Sequence, residues 1–129
     1  MPEEQSKVLL VDDEKDVVNF FSGVFANFKH IQFLTATGGR QALEIAKREK
    51  PKLILMDLRM PDMNGEEVLK ELKPFLTDSK FVVMTGWDDG ETRDRFLNEH
   101  KVDAYFDKPI NLEEVITKVF SLLMVKSRE

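Results

Sequence analysis

Five short apolar runs, most of them rich in β-branched residues, alternate along this chain with longer stretches of helical periodicity. This alternation is typical of a parallel sheet whose two faces are covered by helices. The periodic stretches predict helices at about 14–28, 39–49, 65–73, 89–99 and 111–125. The apolar runs predict strands at Val8–Val11, Ile31–Thr35, Leu53–Met56, Phe81–Met84 and Ala104–Phe106. The chain is therefore predicted to be an α/β domain built from five βα units.

The composition of each run predicts its place in the sheet. The first, third and fourth runs are continuously apolar and belong in the middle, whereas Gln32 in the second and Asp103 before the fifth suit edge strands. Right-handed crossovers then favour an open, doubly wound sheet, in which ligands bind beyond the carboxyl ends of the central strands. Residues that directly follow the strands are therefore the first candidates for function.

Length and charge narrow the class of protein further. A chain of 129 residues with 42% hydrophobic residues can bury one core without disulfides, and it has no cysteine. We expect a single domain over 1–129, with its core at about 7–125. A net charge of -5 disfavours direct nucleic-acid binding. No apolar run is long enough to cross a membrane, so we expect a cytoplasmic protein that does not bind membranes.

Polar residues follow four of the five predicted strands. Asp12 and Asp13 follow the first, Asp57 the third, Thr85 the fourth and Lys108 the fifth. The predicted fold brings all five together. Three carboxylates about 4 Å apart would repel by about 4 kcal/mol per pair at an effective dielectric of about 20. The cluster therefore predicts a bound cation, although a helix N-cap is an alternative role for the Asp12-Asp13 pair.

The side chains available to this cation carry oxygen ligands. His30 and His100 lie away from the strand ends and are predicted to be ordinary surface residues. A hard cation, Mg²⁺ or Mn²⁺, is therefore expected rather than Zn²⁺. Asp57 could then act as a nucleophile through its free oxygen, while Thr85 and Lys108 donate hydrogen bonds to phosphoryl oxygens.

Two other acidic positions are given structural interpretations. Asp88-Asp89 directly precedes Gly90-Glu91-Thr92 and is predicted to cap the fourth helix. Asp62 lies in Met60–Gly65, where a proline and an Asn-Gly pair indicate a turn, so it is predicted to be a solvated loop residue.

Four segments in this order and at these spacings resemble the receiver domain of bacterial two-component response regulators. They are Val11–Glu14, Met56–Gly65, Met84–Gly86 and Tyr105–Pro109, and the resemblance extends from Lys7 to about Met124. The resemblance implies a flavodoxin-like (βα)5 fold with strand order 2-1-3-4-5. It also implies a phosphorelay protein rather than an enzyme with a separate substrate, since it would catalyse only its own phosphorylation and dephosphorylation.

The resemblance further implies roles for individual residues. A histidine kinase or phosphotransfer protein would donate a phosphoryl group to Asp57. Asp12 and Asp13 would bind Mg²⁺, aided by Asp57 and the backbone carbonyl of Arg59.

The remaining motif positions would form the switch. Thr85 would be the switch hydroxyl and Tyr105 the switch aromatic, which turns inward after phosphorylation. Lys108 would pair with the phosphoryl group, and the Lys108-Pro109 bond would be cis. Trp87, two residues from Thr85, is expected to report the switch by its fluorescence.

Partner surfaces are expected on two sides. The first helix carries more apolar residues than one core-facing stripe requires, so Val17 and Phe20 are candidates for kinase docking, although a broad buried stripe is the alternative. Phe120 and Met124 lie off the stripe of the fifth helix and are candidates for an interface, although exposure at the end of the helix is the alternative. A downstream effector would bind the face formed by the fourth helix, fifth strand and fifth helix. The expected state is a monomer or a homodimer promoted by phosphorylation.

Other phosphate-binding α/β classes fit less well. A dinucleotide-binding or P-loop fold needs a glycine-rich turn after its first strand, which Val11–Glu14 lacks. A haloacid-dehalogenase-like phosphatase would place its second aspartate two residues after the first. A further alternative is the N-terminal receiver portion of a longer DNA-binding or enzymatic regulator. Because nothing after Leu123 encodes an output domain, a single-domain receiver is expected, but an excised receiver would have the same sequence.

Overall fold

A five-stranded parallel sheet forms the centre of the computed structural model, which describes residues 5–86 and 90–124. The strand order is β2-β1-β3-β4-β5, as predicted. The strands are β1 (Ser6–Val11), β2 (Ile31–Ala36), β3 (Leu53–Met56), β4 (Lys80–Thr85) and β5 (Ala104–Asp107).

Helices cover both faces of this sheet. They are α1 (Lys15–Phe25), α2 (Gly39–Glu49), α3 (Gly65–Leu72), α4 (Gly90–Asp94) and α5 (Leu112–Leu123). Among the described residues, none of these helices has the length and apolar character that crossing a bilayer would require. The first helix ends three residues earlier than predicted, because the backbone N–H groups of Asn27 and Phe28 close a tight turn onto Val24 and Phe25.

The predicted fourth helix, 89–99, is not one regular helix. After α4, residues Arg95–Glu99 form a π-helical turn, here called the π segment. The N–H of His100 donates to the carbonyl of Arg95 at 3.0 Å, a spacing of five residues instead of four. The prediction was wrong here because the apolar spacing carries no signal of the wider turn.

The core lies in two layers, one on each face of the sheet. β1, β3 and β4 are almost completely buried, as their continuous apolar runs predicted. Alternate residues of each strand enter opposite layers. On β4, Phe81 and Val83 pack towards α2 and α3, whereas Val82 and Met84 pack towards α1 and α5.

Strand register brings the candidate residues to one edge of the sheet. Asp57 donates its N–H to the carbonyl of Val11 at 2.9 Å, which aligns the ends of β3 and β1. Lys108 donates its N–H to the carbonyl of Thr85 at 2.8 Å, which aligns the ends of β5 and β4. The carboxyl ends of four strands therefore meet.

Candidate functional site

Three aspartates form the centre of this edge. One carboxylate oxygen from each of Asp12, Asp13 and Asp57 lies within 4.8 Å of the others. Asp12 is 0% exposed and Asp57 is 5% exposed, whereas Asp13 is exposed. The N–H of Glu14 donates to Oδ1 of Asp12 at 2.9 Å, and the N–H of Arg59 donates to Oδ1 of Asp57 at 3.2 Å. Backbone donors thus hold one oxygen of each buried carboxylate.

The side chain of Lys108 holds the other oxygens. Its ammonium group donates to Oδ2 of Asp12 at 2.9 Å and to Oδ2 of Asp57 at 3.0 Å. The exposed carboxylate of Glu14 lies slightly farther away, at 3.3 Å. The chain therefore supplies one positive charge of its own to a cluster of negative charges.

Burial and hydrogen bonding act in opposite directions on the protonation of this cluster. Burial raises the pKa of Asp12, and the charge of Asp57 adds to this, although hydrogen bonds from Lys108 and the Glu14 backbone oppose it. Burial alone would lower the pKa of Lys108, but its bonds to Asp12 and Asp57 outweigh burial and raise that pKa well above its usual range. Lys108 therefore stays charged, and one ammonium does not fully compensate the carboxylates around it.

The two predicted switch residues are both buried. Thr85 ends β4 and is 0% exposed, and Tyr105 on β5 is 5% exposed. The ring of Tyr105 lies 6.4 Å from that of Phe96 and 5.3 Å from the guanidinium of Arg93. The inward position of Tyr105, which phosphorylation is expected to favour, is thus already present in this structure.

Arg93 also links α4 to the end of β5. Its Nη1 donates to Oδ2 of Asp107 at 2.9 Å while its guanidinium covers the ring of Tyr105. The following Lys108-Pro109 peptide bond is cis. The ion pair with Asp107 therefore fixes the Arg93 guanidinium over the ring of Tyr105, and this cation–π contact helps to hold the ring inward.

The candidate partner residues differ in exposure. Val17 is half-buried, whereas Phe20 is 51% exposed and touches Phe21 edge-on at 5.8 Å between ring centroids. Phe120 is half-buried against Phe28, 4.9 Å away. Met124 is 83% exposed. Phe20 and Met124 are therefore the members of this set that the fold leaves open to solvent.

One sequence-based interpretation was incomplete and another was wrong. Asp62 is an exposed loop residue, as predicted, but its carboxylate also accepts the N–H groups of Gly39 and Arg40 at the start of α2. A glycine at the N-cap of α2, which cannot cap with a side chain, was the signal that a partner was needed.

His100, by contrast, is not the ordinary surface residue that the sequence predicted. Its side chain is 16% exposed, and its Nε2 lies 2.6 Å from Oε2 of Glu66. Arg95 binds both oxygens of the same carboxylate, at 2.9 and 3.1 Å. The sequence offered no signal for this group, since it depends on the π segment. Asp88, Asp89 and Trp87 lie outside the described residues.

Comparison with known proteins agrees with this geometry. The profile of the family described as "Response regulator receiver domain" matches residues 8–120. Sporulation initiation phosphotransferase F of Bacillus subtilis (strain 168) is 33% identical over 123 residues, which cover 94% of this chain and 96% of that protein. Regulatory protein AtoC of Escherichia coli (strain K12) is 34% identical over 122 residues, 95% of this chain but 26% of that protein.

Solved structures share the fold. A response regulator receiver domain protein from Methanospirillum hungatei superposes with a TM-score of 0.85 at 26% identity, covering 93% of this chain and 94% of that one. Some relatives are much longer than this chain, which spans 48% of a Bacillus subtilis transcriptional regulatory protein, PhoP. Receiver domains interact with histidine kinases and with effector domains. The matched profile, the relatives and the flavodoxin-like fold together place this chain in the family of response regulator receiver domains of two-component systems.

Proposed function

We propose that Asp57 accepts a phosphoryl group from a histidine kinase or phosphotransfer protein in a Mg²⁺-dependent reaction, and that this changes which partners the chain binds. The observation that carries the proposal is the position of the Asp57 carboxylate. It is nearly buried, bonded to the Lys108 ammonium at 3.0 Å and grouped with Asp12 and Asp13 within 4.8 Å. This combination of a nucleophile, a fixed cation and extra carboxylates suits phosphoryl transfer.

The donor set fits a hard divalent cation. Asp12, Asp13 and Asp57 offer carboxylate oxygens, and the backbone carbonyl of Arg59 would add another oxygen from the adjoining loop. Mg²⁺ is the expected ion, and Mn²⁺ has compatible ligand preferences. Magnesium bound there would supply positive charge to the transferring phosphoryl group.

The chain's own residues account for the remaining chemistry. A carboxylate oxygen of Asp57 forms the new P–O bond as the P–N bond of the donor phosphohistidine breaks. Lys108 then pairs with a phosphoryl oxygen, and the hydroxyl of Thr85 donates a hydrogen bond to another. In this role the chain catalyses only its own phosphorylation and dephosphorylation.

The partner switch would depend on Thr85 and Tyr105. Because Tyr105 is already inward, phosphorylation would stabilise a conformation that the unmodified chain also populates. The effector would bind the face formed by α4, β5 and α5, and Val17 and Phe20 would contact the kinase beside the active site.

We propose a cytoplasmic, single-domain receiver that is monomeric or dimerises on phosphorylation. A receiver portion of a longer regulator has the same site, as the long relatives illustrate.

The test is phosphorylation by a small donor. Incubation with acetyl phosphate and Mg²⁺ should add one phosphoryl group, detected by intact-protein mass spectrometry. Asp57→Asn should abolish the mass increase, and EDTA should prevent it in the native protein. Asp78→Asn, at an exposed aspartate outside the site, is the matched control and should be labelled normally. Labelling that persists in Asp57→Asn would exclude Asp57 as the acceptor.

A further inference from the structure

Asp62 connects the loop after β3 to the start of α2. Its Oδ1 accepts the N–H of Gly39 at 2.9 Å, and its Oδ2 accepts the N–H of Arg40 at 3.1 Å. These two backbone bonds, from Arg40 and Gly39, lower the pKa of Asp62. Since the N-cap residue Gly38 has no side chain, Asp62 caps α2 from a separate part of the chain.

The start of α2 leaves room for this loop because its N-cap residue and its first residue are both glycines. A Cβ at Gly38 would lie 2.9 Å from Oδ1 of Asp62, and a Cβ at Gly39 would lie 2.6 Å from Cβ of Met63. Gly38 has a φ of -160°, an extended conformation open to any residue, so space and not backbone freedom requires glycine. The loop and α2 are therefore in direct contact.

Backbone hydrogen bonds at both ends of this loop, residues 59–64, hold it near Asp57. The N–H of Arg59 donates to Oδ1 of Asp57 at 3.2 Å, and the N–H of Gly65 donates to the carbonyl of Leu58 at 2.8 Å. Asp62 provides the attachment between these ends. Without it, residues 59–64 would keep the packing of Met60 and Met63 against the core but lose their hydrogen bonds to α2.

We propose that Asp62 is a positioning residue for divalent-cation binding, because its cap on α2 fixes the loop that carries the Arg59 carbonyl. The inference rests on the proposed function, in which that carbonyl is a ligand. Metal sites need their ligands held within about 0.5 Å of the required geometry. Asp62 lies three residues from Arg59, with the stiff Pro61 between them, so loss of the cap is transmitted to the carbonyl.

The first test measures cation binding without any phosphoryl transfer. Mn²⁺ is titrated into each protein, and free Mn²⁺ is counted by its electron paramagnetic resonance signal. Asp62→Ala should bind Mn²⁺ about 10-fold more weakly than the native chain, the size of effect seen for residues that support metal ligands. Asp62→Asn, which keeps one acceptor oxygen, should fall between them. Asp78→Ala, at another exposed loop aspartate, should bind like the native chain.

The second test separates positioning from a purely structural cap. The rate of phosphorylation by acetyl phosphate is measured against Mg²⁺ concentration. In Asp62→Ala the Mg²⁺ concentration giving half the maximal rate should rise, while the rate at saturating Mg²⁺ stays close to native. Gly39→Ala, which displaces Met63, should change the Mg²⁺ requirement in the same direction.

The outcomes distinguish the two proposals. If Asp62→Ala melts at a lower temperature but binds Mn²⁺ and responds to Mg²⁺ like the native chain, Asp62 is only a helix cap and the inference is overturned. If the native chain itself neither binds Mn²⁺ nor accepts a phosphoryl group, the proposed function fails instead.

Discussion

Lys108 and Asp57, 51 positions apart in sequence, are joined by a hydrogen-bonded ion pair of 3.0 Å at the end of the sheet. The same ammonium lies 2.9 Å from Asp12, so it stands between the two buried carboxylates of the site. A cation entering the cluster must therefore share these carboxylates with Lys108. This relationship connects the stability of the fold to its affinity for metal.

Removing the Lys108 charge should lower stability and strengthen metal binding. In EDTA, Lys108→Met should lose about 3 kcal/mol of unfolding free energy, because two buried carboxylates lose their cation. The same variant should bind Mn²⁺ more tightly than the native chain, since the ammonium no longer competes. Urea denaturation checks the stability and Mn²⁺ titration checks the metal binding. Lys70→Met, at an exposed lysine of α3, is the control. Unchanged stability in EDTA would contradict the pairing.

Neutralising Asp13 should have the opposite effect on the metal-free fold. Asp13 is exposed yet contributes to the cluster of carboxylates, so Asp13→Asn relieves repulsion. Its melting temperature in EDTA should rise by about 3 °C, and the further gain on adding Mg²⁺ should shrink. Differential scanning calorimetry with and without Mg²⁺ measures both. A lower melting temperature in EDTA would favour the helix-cap role for Asp13.

The carboxylate of Glu66 should make stability depend on pH in the acidic range. Burial raises the pKa of Glu66, but hydrogen bonds from Arg95 and His100 outweigh it, so the pKa is lowered from 4.5. Ionised Glu66 therefore stabilises the fold above pH 4.5, and this contribution is lost as pH falls from there through the lowered pKa.

The comparison is between Glu66→Gln and the native chain in urea at a series of pH values. At pH 7 the variant should be less stable by about 1–2 kcal/mol, and the difference should narrow below pH 4.5. Glu67→Gln, at an exposed neighbour in the first turn of α3, should show little effect. A constant difference across the whole series would exclude this titration.

Arg93 should control the position of the chain's single tyrosine. Arg93→Ala removes both the contact with the ring of Tyr105 and the ion pair with Asp107. With 3-fluorotyrosine incorporated, the single ¹⁹F resonance should shift towards that of free fluorotyrosine. Arg40→Ala, at an exposed arginine of α2, should leave the resonance in place. A resonance unaffected by Arg93→Ala would show that Phe96 and the core hold the ring of Tyr105 inward without Arg93.

Thr85 should transmit phosphorylation to the same probe. Thr85→Ala should still accept one phosphoryl group from acetyl phosphate, because the nucleophile and Lys108 remain. The ¹⁹F change that follows phosphorylation of the native chain should be lost, since the hydroxyl can no longer bond the phosphoryl group. Thr77→Ala, at an exposed threonine in the loop before β4, is the control. A native-sized ¹⁹F change in Thr85→Ala would place the switch elsewhere.

The sequence predicted the parts of this molecule that depend on short-range patterns. Continuous apolar runs identified β1, β3 and β4 as central strands, and the residues following the strands identified the carboxylate cluster. A strand that is buried on both faces is apolar at every position, and the carboxyl ends of parallel strands lie at one edge of the sheet. Both predictions follow from these two general properties.

Contacts between distant loops were not predictable in the same way. Asp62 and α2 are about twenty residues apart, and the bonding between them depends on the loop's exact path. His100 was misjudged because its surroundings depend on a helix that departs from regular geometry. The inward position of Tyr105 likewise reflects packing by Arg93 and Phe96, which a motif does not encode.

The π segment determines which of its side chains can act together. In a regular α-helix, residues five apart point about 140° away from each other. Here the backbone bond from the N–H of His100 to the carbonyl of Arg95 places these two residues on the same side of the π segment. Both side chains therefore contact the same carboxylate of Glu66. If residues 95–99 formed regular α-helical turns with no residue removed, the side chains of Arg95 and His100 would be separated by that angle and could not both reach Glu66. The wider turn thus lets two side chains of the π segment bind one carboxylate of α3, so a departure from regular helical geometry fixes how these two elements pack together.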